Sequence, residues 1–236
     1  MYKYNLITMK RTDFYFCLIV VALFAPFVLS PNLYASYQSF NAEHGMVMSF
    51  LKFAVLSTLG ELLGLRISTG QYLRKGFGVL PRAVVWGVLG MGINLAFIVF
   101  STGVPAAAGY LGVDDPAAIM AGPVTLGKVL LAFAISVTMN SIFAPVFMTF
   151  HKITDTHILA TGGTLRGLFT PIPMGDIMQN LNWRVQWGFV FKKTIPFFWF
   201  PAHTITFLLP GEMRVLFAAL LGVALGVILA VAARKK

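Results

Sequence analysis

Six stretches of the chain, 14–34, 46–65, 83–103, 129–150, 185–209 and 213–233, are predominantly apolar and long. A helix needs roughly 20 such residues to cross about 30 Å of hydrocarbon. Inside a bilayer every backbone polar group must be satisfied within the protein, which restricts spanning segments to helices or closed barrels. Runs of this length predict an all-α fold, a polytopic membrane helical bundle of about six transmembrane helices. Composition agrees: hydrophobic residues make up 58% of the 236 and charged residues 11%, and mean hydropathy is +0.80. A soluble domain carries about 25% charged residues, so a water-soluble enzyme, a fibrous protein and a disordered chain are excluded. Cys17 is the single cysteine, which rules out an intrachain disulfide.

The net charge of +10 is read through where the cations lie. With the N-terminus inside, all of the 18 Lys and Arg residues except Lys52, Lys128 and Arg214 fall at the inner positions. That asymmetry follows the positive-inside rule and predicts that both termini are cytoplasmic. Nucleic acid is not an expected partner; the lipid bilayer is. Segment 14–34 reads as a retained anchor helix, since its apolar region of about 17 residues exceeds a signal peptide's usual 7–15. Residues 1–45 then form a tail, anchor helix and outer loop, and 46–236 a helical membrane domain. A bacterial inner membrane is the expected location, with an organellar inner membrane the other option.

Ionisable and polar residues inside membrane segments are functional candidates by default. Lys52 and Glu61 lie in the second segment, Lys52 either snorkelling outward or lining a path. Glu61 is expected to pair with Arg66 or with a cation on a neighbouring helix. The fourth segment carries Asn140 and Ser141 ahead of Pro145, which removes a backbone bond and tends to kink a helix. These groups either join helices or line a solute path. The fifth segment is interrupted by Pro196 and Pro201, with His203, Thr204 and Thr206 following. Broken helices flanked by polar groups are a common construction for transport sites; a kinked packing helix is the alternative. Arg66, Arg74, Lys75, Arg82, Lys192 and Lys193 would form a basic collar at the inner face, favouring small anionic solutes.

Small residues recur at Gly60 and Gly64, and at Ala218, Gly222, Gly226 and Ala230, ridges that let helices approach closely. Such ridges serve bundle packing or a homo-oligomer face. His151, Asp155 and His157 have a spacing that a metal would accept, but a metal site needs three or four ligands and supporting partners. No P-loop, GxSxG, HExxH or dinucleotide fingerprint occurs. The chain therefore reads as a non-enzyme without cofactor or metal.

From about residue 46 onward the chain resembles the Mpv-type family of small peroxisomal and mitochondrial inner-membrane proteins. The likeness starts at Phe50-Leu-Lys-Phe-Ala-Val-Leu-Ser-Thr-Leu-Gly60-Glu61-Leu-Leu. It continues through Lys128-Val-Leu-Leu, Phe143-Ala-Pro145-Val-Phe and Asp155. It ends with Asn182-Trp183-x-x-Gln186, an aromatic run to Pro196, and Arg214-Val215-Leu216. Gly188 departs from the family pattern, and 14–34 looks like an added helix. The resemblance implies a solute-conducting membrane protein, with Glu61 as the acidic position of the first family helix, Pro145 as its mid-chain bend and Gln186 as a matching polar position. A small channel or solute-permeation protein is the leading expectation. The alternatives are an accessory subunit docking through its glycine ridges and an intramembrane metal-dependent enzyme.

Overall fold

The computed structural model describes residues 9–233, and among them every regular element is a helix. Five helices are long and apolar enough to cross a membrane, so the chain is a multi-pass membrane protein. They are α1 (Arg11–Leu29), α3 (Gly45–Thr69), α4 (Val79–Tyr110), α6 (Leu126–Ala160) and α11 (Gly211–Ala233). Shorter helices join them: α2 (Pro31–Glu43), α5 (Pro116–Ala121), α7 (Leu165–Leu168), α8 (Met174–Asn180) and α9 (Trp183–Val185).

The segment expected over 14–34 stops earlier, at Leu29. Ser30 caps a new helix by accepting the Leu33 N–H at 3.3 Å, with Pro31 at its first position. A serine cap followed by proline starts a helix well and cannot continue one. The segment expected over 185–209 is helical throughout but composite. Gln186–Trp199 runs as a wide π-type helix and Phe200–Leu208 as an ordinary one, α10. The change of width falls between Pro196 and Pro201, whose missing N–H groups leave gaps in the ladder. Thr194 follows the wide register, its hydroxyl donating at 3.5 Å to the Phe189 carbonyl five residues back. By contrast α6 runs unbroken through Pro145.

Contacts set the direction of each helix. Asp13 at the start of α1 pairs with Arg66 at the end of α3, at 2.6 Å. The Lys10 ammonium donates to the Gly70 carbonyl at 3.0 Å, and Phe16 stacks on Tyr72 at 4.6 Å. Burial, and then the Asp13 carboxylate beside it, push the Tyr72 hydroxyl up to about 12. α1 is therefore antiparallel to α3 and has no buried residue of its own. In α11, Gly222 faces Ser57, Val223 faces Gly60 and Gly226 faces Gly64. The positions ascend together, so α11 runs parallel to α3. Both ends of the described chain thus lie at one end of the bundle, called here the basic end because Arg66, Arg74, Lys75 and Arg82 lie there.

The core sits between α3, α4, α6, α10 and α11, where Ala132, Ile135, Phe207 and Ala219 have no exposed surface. Helix approach depends on glycine at two faces. A β-carbon on Gly60 would stand 3.0 Å from the Val223 Cα, and one on Gly90 2.5 Å from the Phe53 Cβ. The α11 ridge of Ala218, Gly222 and Gly226 is thus packed toward α3 within the chain rather than standing as a free oligomer face, while Ala230 is only half-buried. At the basic end the α3–α4 and α6–α7 loops meet glycine against glycine. Gly163, with φ +68, would place a β-carbon 2.6 Å from the Gly76 carbonyl oxygen.

Candidate functional site

Between α3, α4, α6, the wide helix and α11 lies a chamber of about 370 Å³. Its wall is mainly apolar and aromatic, from Phe53, Phe97, Met139, Phe143, Phe147 and Leu225. Toward the basic end it reaches the exposed side chains of Lys152 and Leu229. Toward the other end it stops at His203 and Phe97, beyond which Phe207 packs edge-on against Phe97 at 5.2 Å.

Polar groups occur at two depths. At the deep end Asn140 and His203 are both buried, the Asn140 amide lying 3.0 Å from His203 Nδ1 and donating at 2.8 Å to the Ser136 carbonyl. Ser136 in turn donates at 2.8 Å to the Phe200 carbonyl, next to the change of helix width. Trp199 lies against His203 with ring centres 4.9 Å apart. Near the mouth, Glu61 gathers partners from two helices. Arg82 Nη1 donates to it at 2.7 Å, Trp86 Nε1 at 3.0 Å, and His151 Nε2 is 3.4 Å away. The second arm of Arg82 pairs with Asp155 of α6, and its Nε donates to the Phe77 carbonyl at 2.7 Å. Glu61 therefore pairs with a cation on a neighbouring helix, Arg82, and not with Arg66. Three helices meet at one guanidinium, because only its planar fork presents donors to two carboxylates and a carbonyl at once.

Three residues that line the chamber each carry a buried polar atom with no hydrogen-bond partner in the protein: Ser57 Oγ, Gln186 Nε2 and Trp199 Nε1. Ser57 is 4% exposed and Gln186 8%, so both are cut off from bulk solvent. Buried donors without a partner cost about 1–3 kcal/mol each, which makes these atoms the most informative in the site.

Four of the sequence candidates for a path, Glu61, Asn140, Gln186 and His203, line the chamber, as do Gly60, Gly64, Ala218, Gly222 and Gly226. The others lie elsewhere. Lys52 is buried at the opposite end, paired with Asn41 of α2 and 5.5 Å from the Tyr37 ring centre. Ser141 and Pro201 are exposed on the outer face of the bundle, and Pro145 and Pro196 are half-buried outside the chamber wall. Thr204 and Thr206 donate back to the Phe200 and Ala202 carbonyls of their own helix, at 2.7 and 3.0 Å.

The basic collar does not form. Arg66 and Arg82 are buried in ion pairs, and Arg74, Lys75, Lys192 and Lys193 are exposed away from the chamber wall. Charge had been placed by sequence position, whereas side-chain direction decides what a cation faces. His151, Asp155 and His157 also diverge. His151 turns to Glu61, Asp155 to Arg82, and His157 Nε2 lies 3.0 Å from the Gly167 carbonyl, pinning α7 to α6. No group of three or more His, Cys, Asp or Glu among the described residues has metal-site geometry.

Ser57, Trp86 and Trp199 were not singled out from the sequence. Ser57 had a usable signal, since it stands one helical turn before Glu61 and so shares its face. No family model, curated protein or solved structure matches the chain. The Mpv-type resemblance rests on its short motifs alone.

Proposed function

We propose that this multi-pass membrane protein is a small solute-permeation protein whose path passes through the central chamber. The observation that carries the reading is a chamber of about 370 Å³ among the helices, reaching the exposed Lys152 and Leu229 at the basic end, with a mainly apolar wall that holds a few polar side chains, Glu61, His151, Asn140 and His203. Ligand sites in helical bundles have this character, concave and apolar with a few placed polar groups. The Phe97–Phe207 contact would be the closed constriction, and passage requires it to part. The Mpv-type resemblance supports the same reading. By the positive-inside rule, the mouth would face the cytoplasm of a cell inner membrane.

The site gives no support to an anion preference drawn from a basic collar, because the collar residues do not converge. Flux through purified protein in proteoliposomes, with small neutral, anionic and cationic solutes, tests the proposal. Ser57→Phe fills the chamber and is expected to cut flux at least about tenfold, the loss of a site a solute must occupy. Lys52→Met lies outside the chamber and is expected to leave flux within about twofold of the unaltered protein, since it touches no lining group. Vesicles that stay tight to every solute at high protein density would overturn the proposal, and so would flux that ignores Ser57→Phe.

A further inference from the structure

The chamber's shape says more about its occupant than its volume does. On α3, α6 and α11 the lining residues recur every three or four positions, from Phe53 to Gly64, Met139 to Lys152 and Ala218 to Leu229. That spacing is one face of a helix, so each of the three gives a stripe along its own length. At a rise of about 1.5 Å per residue the stripes are about 16–20 Å long. Spread over that length, 370 Å³ leaves a mean section of about 20 Å². The chamber is therefore a slot parallel to the helices, wide enough for one extended alkyl chain and too narrow for a cage of rings or two chains side by side.

The wall matches such a chain. Phe53, Phe143, Phe147 and Leu225 are apolar, and the polar side chains among them already hold partners. Glu61 Oε1 faces Trp86 and His151, and Oε2 accepts from Arg82. Asn140 and His203 hold each other. A hydrocarbon chain strips none of these of its partner, so its burial gains transfer free energy without that polar cost. The basic end suits an amphiphile. There the slot reaches Lys152, an exposed cation of α6, and Leu229, exposed beside Ile228 on α11. A lysine ammonium belongs with headgroups while its neighbours cover apolar surface, so this end has a place for a polar head and for the start of a tail.

From these observations we infer that the chamber binds one unbranched alkyl chain of an amphiphile, its tail along the slot toward Asn140 and His203 and its head at the basic end beside Lys152. The inference rests on the chamber being a ligand site and names the class of ligand. Free fatty acids and membrane phospholipids both carry such a chain, and the test separates them.

Trp86 lines the slot, and Trp183→Phe, Trp187→Phe and Trp199→Phe leave it alone of the four tryptophans. The full chain so altered is placed in nanodiscs, and dodecanoate brominated at mid-chain is added as a contact quencher. If that background fails to fold, one that also keeps Trp199, another lining residue, replaces it. Saturable quenching is expected, reversed by plain dodecanoate. 1-Adamantaneacetate has the same carboxylate and carbon count but a wider body, and is expected to compete at least about tenfold more weakly, because methylenes that cannot enter gain nothing. Ser57→Phe should weaken the chain's binding at least about tenfold by filling the slot. Gly222→Leu repeats that test from the facing wall, where the atom nearest an added β-carbon is Ser57 Oγ at 4.0 Å. In nanodiscs of chain-brominated phospholipid, quenching that dodecanoate relieves would assign the slot to a membrane lipid's tail; quenching by the free acid alone would assign it to a fatty acid. Quenching that never saturates and ignores both filling variants would be partition into the bilayer and would overturn the inference. Equal competition by adamantaneacetate, or no quenching at all, would overturn it as well. Because the readout is binding, a bound chain without flux would sink permeation alone, and flux without a bound chain would sink only the ligand class.

Discussion

Arg82 is the residue on which the mouth of the chamber depends. It belongs to α4 but pairs with Glu61 of α3 and Asp155 of α6, at 7% side-chain exposure. Removing one member of a buried ionic group leaves uncompensated charge and costs about 3–5 kcal/mol, whereas replacing the whole group by neutral side chains can be nearly neutral. Arg82→Met is therefore expected to lower stability in detergent by about that amount. Adding Glu61→Gln and Asp155→Asn to the same chain should restore most of the loss. Denaturant unfolding followed by circular dichroism reads both, and a single variant within about 1 kcal/mol of the unaltered protein would refute the bridging role. That an acidic residue inside the second segment would need a basic partner was legible, since a lone intramembrane carboxylate is costly. Which partner was not. Arg66 is nearer in sequence, but a little over one turn along α3 it faces α1 and is taken by Asp13.

Helices of this chain approach one another by omitting side chains at specific faces, and the glycines of α3 and α4 separate the two cases. Gly60 meets the Val223 backbone, while a β-carbon on Gly92 would have nothing within 4 Å. Gly60→Ala is expected to destabilise by about 1–3 kcal/mol, the usual cost of overpacking a close contact. Gly92→Ala should be neutral or stabilising by up to about 1 kcal/mol, since alanine is the better helix former. Thermal unfolding of the two variants side by side tests this, and equal effects would refute the α3–α11 packing. The four-residue spacing of small residues in α11 was readable from sequence; its partner was not, because several helices carry glycine. The composite helix shows the same limit. Two prolines announce a disturbed ladder between Lys192 and Pro201, but whether it widens, kinks or breaks is settled by what packs there. Here the Phe200 carbonyl is satisfied by Ser136 and Thr204 from two helices. The early stop of α1 was written in Ser30-Pro31 and was masked by the apolar run continuing past it.

At the scale of the whole molecule the composite helix decides the topology. Five uninterrupted helices alone would put the two ends of the described chain on opposite sides of a membrane. The Asp13–Arg66 pair and the parallel run of α3 and α11 place the start of α1 and the end of α11 together. That requires the stretch from Trp183 to Leu208 to cross as well, although its two prolines and its Lys192-Lys193 pair make it the least obvious span. Exposed apolar side chains on this stretch, Trp187, Phe189, Phe197 and Ile205, suit a lipid-facing helix, and Lys192 and Lys193 can snorkel toward the basic end. Single cysteines placed in a Cys17→Ser background and labelled from one side of sealed vesicles read the crossing directly. Lys75→Cys and Asn180→Cys are expected to label together from the basic side, and Asp114→Cys and Glu212→Cys from the other. If Asn180→Cys and Glu212→Cys label from the same side, the composite helix lies along the surface, α11 reverses direction and the central chamber loses the wall that Gln186 and Trp199 provide.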